Sequence, residues 1–163
     1  MNFLEKDLEE IIWEADKHTL FERGFPISGK RFRQLRIGNY GVADIITAER
    51  IFDGENFHRL LITIYEFKKD SAGISAFLQA VRYMKGIDRY LKWRRFKFGY
   101  CFNIVICAKR IEMNDYTYLC DFIYGDFKDR KPSSLRNFSY KYGIDGIEFT
   151  RECNYSLKKD GFS

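Results

Sequence analysis

The chain has 163 residues and a net charge of +5, with a mass of 19.5 kDa and a pI near 9.0. This length fits a single domain, and a content of 45% hydrophobic and 31% charged residues excludes a disordered chain. No apolar run approaches the roughly 18 residues of a membrane span, and the acidic start is unlike a signal peptide. The mild positive charge permits a polyanionic partner without requiring one.

The cysteines indicate the cellular setting. Cys101, Cys107, Cys120 and Cys153 have no Cys-x-x-Cys spacing, and no disulfide framework is apparent. Because the chain has only two histidines, a structural zinc site is not expected. We therefore expect the protein to act in a reducing cytoplasm, of a cell or of a virus-infected cell, with no membrane association.

The first half of the chain predicts a helix followed by three strands. Apolar residues at helical spacing predict the helix from Phe3 to about Lys17. Arg31 to Ile37 alternates imperfectly between basic and apolar residues, which indicates an outer strand that ends at a glycine-rich turn. A second strand is predicted from Val42 to Phe52, and a third from about Arg59 to Lys68.

The second half predicts a helix and further strands. Asp70-Ser71 should cap a helix from about Ala72 to Leu91. Phe102 to Ala108 is typical of a buried central strand, and weaker patterns indicate strands at Tyr118–Tyr124 and Ile144–Thr150. The helix should turn these residues towards the core: Ile74, Phe77, Leu78, Val81, Met84 and Ile87.

This order of elements predicts an α/β fold. The strand–helix–strand step implies that the third and fourth strands are parallel and joined by a right-handed crossover. The result is a mixed central β-sheet flanked by helices, in the order αβββαβ. We expect one domain over residues 1–163, with its core at about 3–108 and C-terminal strands and loops of unassigned role at 109–163.

The candidate chemistry collects around Glu66-Phe67-Lys68. Residues two apart on a strand share a face, so the carboxylate and the amine should project together while Phe67 points into a core. A hairpin turning at residues 54–56 pairs positions whose numbers add up to about 110, which sets Asp44 opposite Glu66. Two carboxylates and the Phe67 carbonyl form an oxygen site of the kind that Mg²⁺ or Mn²⁺ accepts.

The set of Asp44, Glu66-x-Lys68 and Gln79, preceded by the helical Glu5-x-x-Leu8, resembles the PD-(D/E)XK nuclease superfamily. The resemblance is greatest to the branch with Holliday-junction resolvases, RecB-like domains and archaeal branched-DNA endonucleases. It covers residues 3 to about 108 and implies a restriction-endonuclease-like core. Ala43 stands where the family has proline, which leaves the Asp44 carboxylate in place.

The resemblance implies a Mg²⁺-dependent (deoxyribo)nuclease, a phosphodiester hydrolase that acts as a DNA endonuclease. Asp44 and Glu66 would hold the metal, and Lys68 would position or deprotonate the attacking water. Glu5 would reach the site from the first helix, with Glu9 as its rival, and Gln79 would orient Lys68 or a metal-bound water. A homodimer is also compatible, since junction-cutting members usually act as dimers.

A basic segment follows in the second helix and beyond. It indicates either a solvated helix end or a surface for the phosphate backbone, with Tyr83, Tyr90, Trp93 and Phe96 interleaved for packing or stacking. The candidate nucleic-acid-binding residues are Arg82, Tyr83, Lys85, Arg89, Lys92, Arg94 and Arg95.

Two other functions stay open at this point. One is a catalytically silent protein on the same fold that binds nucleic acid or has a structural role. The other is an interaction protein in which Glu66 and Lys68 form only a surface ion pair. The sequence leaves open DNA against RNA, endonuclease against exonuclease, the preferred substrate structure and the biological pathway.

Overall fold

The computed structural model describes residues 5–112 and 134–156, the last four of these by their backbone alone. Its elements follow in the order α1 (Glu5–Glu14), α2 (Lys17–Glu22), β1 (Lys30–Arg36), a 3-10 turn (Gly38–Tyr40), β2 (Val42–Asp53), β3 (Asn56–Ala72), α3 (Ile74–Trp93), β4 (Gly99–Ile111), β5 (Ser134–Gly143) and β6 (Gly146–Ser156).

The strands form one six-stranded mixed sheet in sequence order, from β1 at one edge to β6 at the other. The first three strands form an antiparallel meander, β3–β4 and β4–β5 are parallel, and β5–β6 is antiparallel. The predicted α/β class and the predicted parallel pairing across α3 are therefore confirmed. The described residues also follow the predicted αβββαβ order, with α2 as an unpredicted addition.

Helices cover both faces of the sheet. Ile64 and Tyr65 are neighbours on β3, yet they belong to two different hydrophobic clusters because successive strand residues point to opposite faces. The cluster with Ile64 packs against α3, and the cluster with Tyr65 packs against α1 and α2. The sheet is thus the middle of three layers, and a side chain on β3 faces one helical layer or the other.

Helix α3 packs closely on the connection between β1 and β2. Gly86 is buried in the helix interior, and a Cβ at this position would lie 2.5 Å from Ile37 Cγ2 and 2.8 Å from the Tyr40 ring. Glycine usually destabilises a helix interior, so its presence here is explained by this close approach. The contact fixes the turn from which β2, and with it Asp44, begins.

Some local predictions about α3 were wrong. Strand β3 continues through Asp70 and Ser71 to Ala72, and the N-cap of α3 is Gly73 without a side-chain hydrogen bond. Ser71 Oγ donates instead to Glu112 Oε1 at 2.7 Å. Leu78 is 52% exposed rather than directed to the core, because Ala76, Phe77, Ala80, Tyr83 and Met84 form the buried side of the helix.

The C-terminal part contains a strand that the sequence patterns did not predict. Strand β5 is buried between β4 and β6, and β6 begins at Gly146 instead of Ile144. The strand predicted at Tyr118–Tyr124 lies outside the described residues. Cys101 and Cys107 are free, and Cys120 and Cys153 are not among the described side chains. No helix in residues 5–112 and 134–156 is both long and apolar enough to cross a membrane.

Candidate active site

The β2–β3 ladder brings Asp44 next to Glu66. From Ile51–Arg59 to the last pair, Ile45–Tyr65, the numbers of paired residues add up to 110. This is the register that the sequence predicts. The next position sets Asp44 opposite Glu66, where the two strands stop pairing. Asp44 Oδ2 there accepts a hydrogen bond of 3.1 Å from the Phe67 backbone N–H. The Asp44 carboxylate therefore lies beside the Glu66–Phe67 peptide.

The Glu66-Phe67-Lys68 triplet has the predicted alternation. Phe67 is fully buried in the hydrophobic cluster under α1, on the opposite face from Ile64. Glu66 and Lys68 project together, and Lys68 Nζ lies 2.8 Å from Glu66 Oε1. Since the N–H and C=O groups of one strand residue point to the same side, the Phe67 carbonyl also faces β2 and Asp44.

Glu66 is a buried carboxylate with unused acceptors. Its relative exposure is 0%, and among the described residues neither of its carboxylate oxygens accepts a hydrogen bond of good geometry. The 2.8 Å approach of Lys68 is an ion-pair contact rather than a well-aligned hydrogen bond. Leaving a buried carboxylate oxygen without a donor is costly unless a cation or another ligand satisfies it.

Burial and the negative charges of neighbouring carboxylates raise the pKa values of Asp44 and Glu66. Burial, followed by the charge of Asp44, raises the pKa of Glu66 to about 7. Burial raises the pKa of Asp44 to about 6, against the opposing effect of the hydrogen bond from Phe67. Glu5 raises both pKa values further, and Glu9 raises that of Asp44. A bound divalent cation would relieve this repulsion.

Lys68 is a cation at neutral pH. Its burial alone would lower the pKa of the ammonium group, but the contact with Glu66 and the charges of Glu5 and Asp44 raise the pKa above its ordinary value. A lysine with a raised pKa cannot accept a proton from water near pH 7. The contact with Glu66 and the raised pKa therefore suit the Lys68 ammonium group to stabilise negative charge.

Helix α1 supplies two carboxylates, and these have different contacts and different exposure. Glu5 Oε1 lies 3.5 Å from Lys68 Nζ, and the Glu5 side chain is 45% exposed. Glu9 is 5% exposed and accepts hydrogen bonds from Arg33 Nε at 2.6 Å and Gln34 Nε2 at 2.7 Å. Glu5 is thus the α1 residue that contacts the triplet, whereas Glu9 is held by β1.

Arg33 and Gln34 were not predicted as part of this region. Gln34 has φ of 49°, a left-handed conformation that a residue with a side chain rarely adopts. In the β1–β2 register it occupies the unpaired position opposite Asp44. The sequence signal was the irregular spacing of Phe32 and Leu35, since a regular strand would place its apolar residues two apart.

Gln79 reaches this region through Tyr83. Gln79 Nε2 donates a hydrogen bond of 2.7 Å to the Tyr83 hydroxyl, and no hydrogen bond joins Gln79 to Lys68 among the described residues. Burial, and less strongly the charges of Glu66 and Asp44, raise the pKa of Tyr83. A Cβ at Gly41, which has φ of 114°, would lie 3.1 Å from the Tyr83 ring, a tighter contact than usual. The Tyr83 ring therefore packs on the turn that precedes Asp44.

The surface predictions for the basic segment divide in two. Tyr83 is only 3% exposed, so it belongs to the interior beside Asp44 and not to a surface that could bind a ligand. The other candidates are exposed, and they are Arg82, Lys85, Arg89, Lys92, Arg94 and Arg95. Arg89 Nη1 donates to the Tyr40 hydroxyl at 2.6 Å, and Lys92 Nζ lies 2.8 Å from Asp88 Oδ2.

The residues fit a divalent cation through two side chains and one backbone group. The described part of the chain has no group of three or more His, Cys, Asp or Glu side chains arranged to hold a metal. Asp44, Glu66 and the Phe67 carbonyl supply only hard oxygen donors, and Mg²⁺ is usually held by one or two carboxylates with water in its other positions. The unused Glu66 oxygens are the observation that favours such a fit.

Comparisons with other proteins leave this geometry as the main guide to function. No protein-family model matches the chain, and neither a curated protein nor a solved structure matches it significantly.

The raised carboxylate pKa values predict a pH-dependent stability in the absence of metal. In the folded protein the pKa values are about 6 for Asp44 and about 7 for Glu66, against about 4 when the chain is unfolded. The folded state therefore binds more protons than the unfolded state between these values. Its free energy of unfolding should fall, by on the order of 5 kcal/mol for the two groups together, from about pH 4 to pH 7.

Urea unfolding in EDTA measures this dependence. The matched control is the double variant Asp44→Asn, Glu66→Gln, which keeps the shapes of both side chains and cannot titrate. The wild-type curve should fall relative to that of the double variant as the pH rises. Parallel curves would mean that the two carboxylates titrate normally in the folded protein.

Proposed function

We propose that the protein is a metal-dependent nuclease that hydrolyses phosphodiester bonds, a DNA endonuclease of the PD-(D/E)XK type on a restriction-endonuclease-like core. One observation carries this proposal: the buried Glu66 carboxylate has unused acceptors, lies opposite Asp44 and has the Lys68 ammonium 2.8 Å away. An ion pair with only a structural role does not need a second, half-buried carboxylate beside it.

In this proposal Asp44, Glu66 and the Phe67 carbonyl hold Mg²⁺ or Mn²⁺. Such a cation, when bound, supplies Lewis acidity towards a phosphate oxygen and lowers the pKa of a bound water. The protein contributes the placement of both carboxylates at the end of a paired ladder, where Asp44 is fixed by the Phe67 N–H. Because these carboxylates must be ionised to bind a cation, binding should release protons below about pH 7.

Lys68 carries the second part of the chemistry. A phosphodiester gains negative charge as water attacks it, and a fixed ammonium group lowers the free energy of that charged transition state. Lys68 is half-buried, which strengthens this interaction, and Glu66 and Glu5 keep it protonated. Gln79 acts indirectly in this scheme, because its hydrogen bond positions the Tyr83 hydroxyl near the carboxylates.

The exposed face of α3 is suited to the DNA backbone. Arg82, Lys85, Arg89 and Lys92, which we call the α3 stripe, are spaced by three, four and three residues and therefore share one side of the helix. All four are exposed. Lysine and arginine on such a surface bind phosphates without reading sequence, and their contribution falls steeply with salt.

A second candidate is a nucleic-acid-binding protein without turnover. The observation that favours it is the Lys68–Glu66 contact, because an ammonium group at 2.8 Å already compensates the buried charge of Glu66. This candidate predicts binding to DNA that is independent of divalent metal. It also predicts that no phosphodiester bond is cut.

Cleavage assays distinguish the two candidates. The protein is incubated with Mg²⁺ or with Mn²⁺ and a panel of linear, circular, single-stranded and branched DNA, with matched RNA substrates, and in parallel with EDTA. The nuclease should cut at least one substrate with either metal and none in EDTA. Binding without cleavage throughout the panel would favour the silent protein and contradict the nuclease.

A further inference from the structure

The C-terminal end of α3 exposes two aromatic side chains. Trp93 is 73% exposed and Tyr90 is 55% exposed, and their ring centroids lie 6.1 Å apart. The guanidinium carbon of Arg94 lies 5.8 Å from the centre of the Trp93 ring. Large aromatic side chains this exposed and adjacent to one another are often binding surfaces, because a core position would cover them.

The surroundings of these rings are strongly cationic. Residues 89–97 contain Arg89, Lys92, Arg94, Arg95 and Lys97 and no acidic residue. Lys92 is paired with Asp88, while Arg94, Arg95 and Lys97 are exposed and take part in no ion pair among the described residues. Charge complementarity therefore favours a polyanion as the occupant of this surface.

The turn that follows α3 has an unusual residue for its backbone. Phe96 N donates to Leu91 O and Arg95 N donates to Lys92 O, the pattern of a Schellman C-cap with Arg95 at the left-handed position. Arg95 has φ of 52°, where glycine is the favoured residue. An arginine at a position where glycine would be more stable favours a role for its charge outside folding.

The neighbouring aromatic residue anchors this turn. Phe96 is half-buried, and its ring centroid lies 5.8 Å from that of Phe98 and 6.1 Å from that of Tyr100. The turn is thus attached to the start of β4, while Trp93 and Tyr90 remain outside. Exposed rings on an anchored support can accept a stacked base with little loss of side-chain freedom.

We propose that Tyr90, Trp93, Arg94 and Arg95, which we call the α3-end platform, form a stacking site for single-stranded nucleic acid. A base offers its π-face to an aromatic ring only where it is not already stacked within a duplex. Aromatic rings interleaved with unpaired cations suit this substrate better than a duplex, for which cations alone would suffice.

This proposal rests on the proposed nuclease function and extends it. It specifies that the substrate of the nuclease contains a single-stranded segment. Trp93 lies 14 residues after Gln79 on the same helix, a rise of about 21 Å. A substrate bound at both places would therefore carry its unpaired segment several nucleotides from the scissile bond. This geometry suits a strand end, a flap or a branched structure.

Binding in EDTA tests the platform separately from cleavage. Fluorescence anisotropy is measured with a labelled oligothymidylate and with a labelled blunt duplex of equal length. Trp93→Ala should weaken binding of the single strand about tenfold, with duplex binding unchanged within about twofold. Trp93→Phe should retain most of the affinity, and Phe21→Ala, which removes an aromatic side chain that is 69% exposed on α2, should change neither.

Arg95→Gly separates binding from folding. It should raise the midpoint of thermal unfolding, because glycine fits the left-handed position, and it should weaken single-strand binding and lower the salt slope by about one.

Unchanged single-strand binding in Trp93→Ala, or equal losses on duplex and single strand, would overturn the proposal. Binding to phosphatidylserine vesicles but not to oligothymidylate would also overturn it. If single-strand binding is lost in Trp93→Ala but no substrate is cut by the wild type, the platform stands and the nuclease proposal fails.

Discussion

Replacing Lys68 by alanine should slow metal-dependent cleavage at least about a hundredfold, the usual loss when one preorganised donor to a developing charge is removed. Lys68 Nζ lies 2.8 Å from Glu66 Oε1, in direct contact with the buried carboxylate. Lys68→Arg should recover part of the rate because it keeps the charge and alters its position. Single-turnover cleavage of the best substrate, at saturating metal, measures the chemical step.

The control for Lys68→Ala is Lys30→Ala. It makes the same change of charge at an exposed position at the start of β1, opposite Ala48. Its cleavage rate should stay within about threefold of the wild-type rate. Circular dichroism establishes that both variants fold. A folded Lys68→Ala protein that cuts as fast as the wild type would contradict the role given to this residue.

Asp44→Asn and Glu66→Gln should each abolish cleavage and at the same time stabilise the metal-free protein at pH 8. Above pH 7 both carboxylates are ionised in surroundings that raise their pKa values to about 6 and about 7, so a neutral amide removes an unfavourable charge. The amide introduced by Asp44→Asn keeps a carbonyl oxygen that can accept from the Phe67 N–H. We expect cleavage to fall by at least about a thousandfold and the unfolding midpoint in EDTA to rise.

Asp53→Asn is the matched control for these amide substitutions. Asp53 is exposed at the end of β2, next to the hairpin turn, far along the strand from Asp44. This variant should change neither the cleavage rate nor the unfolding midpoint in a measurable way. If Asp44→Asn and Glu66→Gln instead lost stability in proportion to activity, the two carboxylates would be structural groups.

Local pattern was sufficient to predict the part of the fold that forms the site. A turn at Gly54 and Glu55 joins β2 to β3, and a bulge between Ile51 and Phe52 then shifts the pairing by one residue to the register that sets Asp44 opposite Glu66. The position of the turn in the sequence predicts the register to within this shift of one residue. The alternation along β3 likewise fixes the face of Glu66 and Lys68. These features depend on residues close together in the chain, which is why the sequence contains them.

Other features depend on contacts between distant segments. Gln34 adopts its left-handed backbone next to Asp44, and its side chain reaches Glu9 of α1, so the conformation follows from packing. Strand β5 has a weak pattern of its own and is stabilised by pairing with β4 and β6. The exposure of Leu78 likewise follows from the packing of α3 on the sheet, which buries Phe77, Tyr83 and Met84.

The most direct test of the proposed metal site is a calorimetric titration of Mn²⁺ into the wild type and into Asp44→Asn and Glu66→Gln. Asp44 and Glu66 meet at the end of the β2–β3 ladder, and the unused oxygens of Glu66 are the feature that predicts a cation there. We expect binding to the wild type, with release of protons below about pH 7, and none to either variant. No binding to the wild type, or equal binding to all three proteins, would contradict the proposed site.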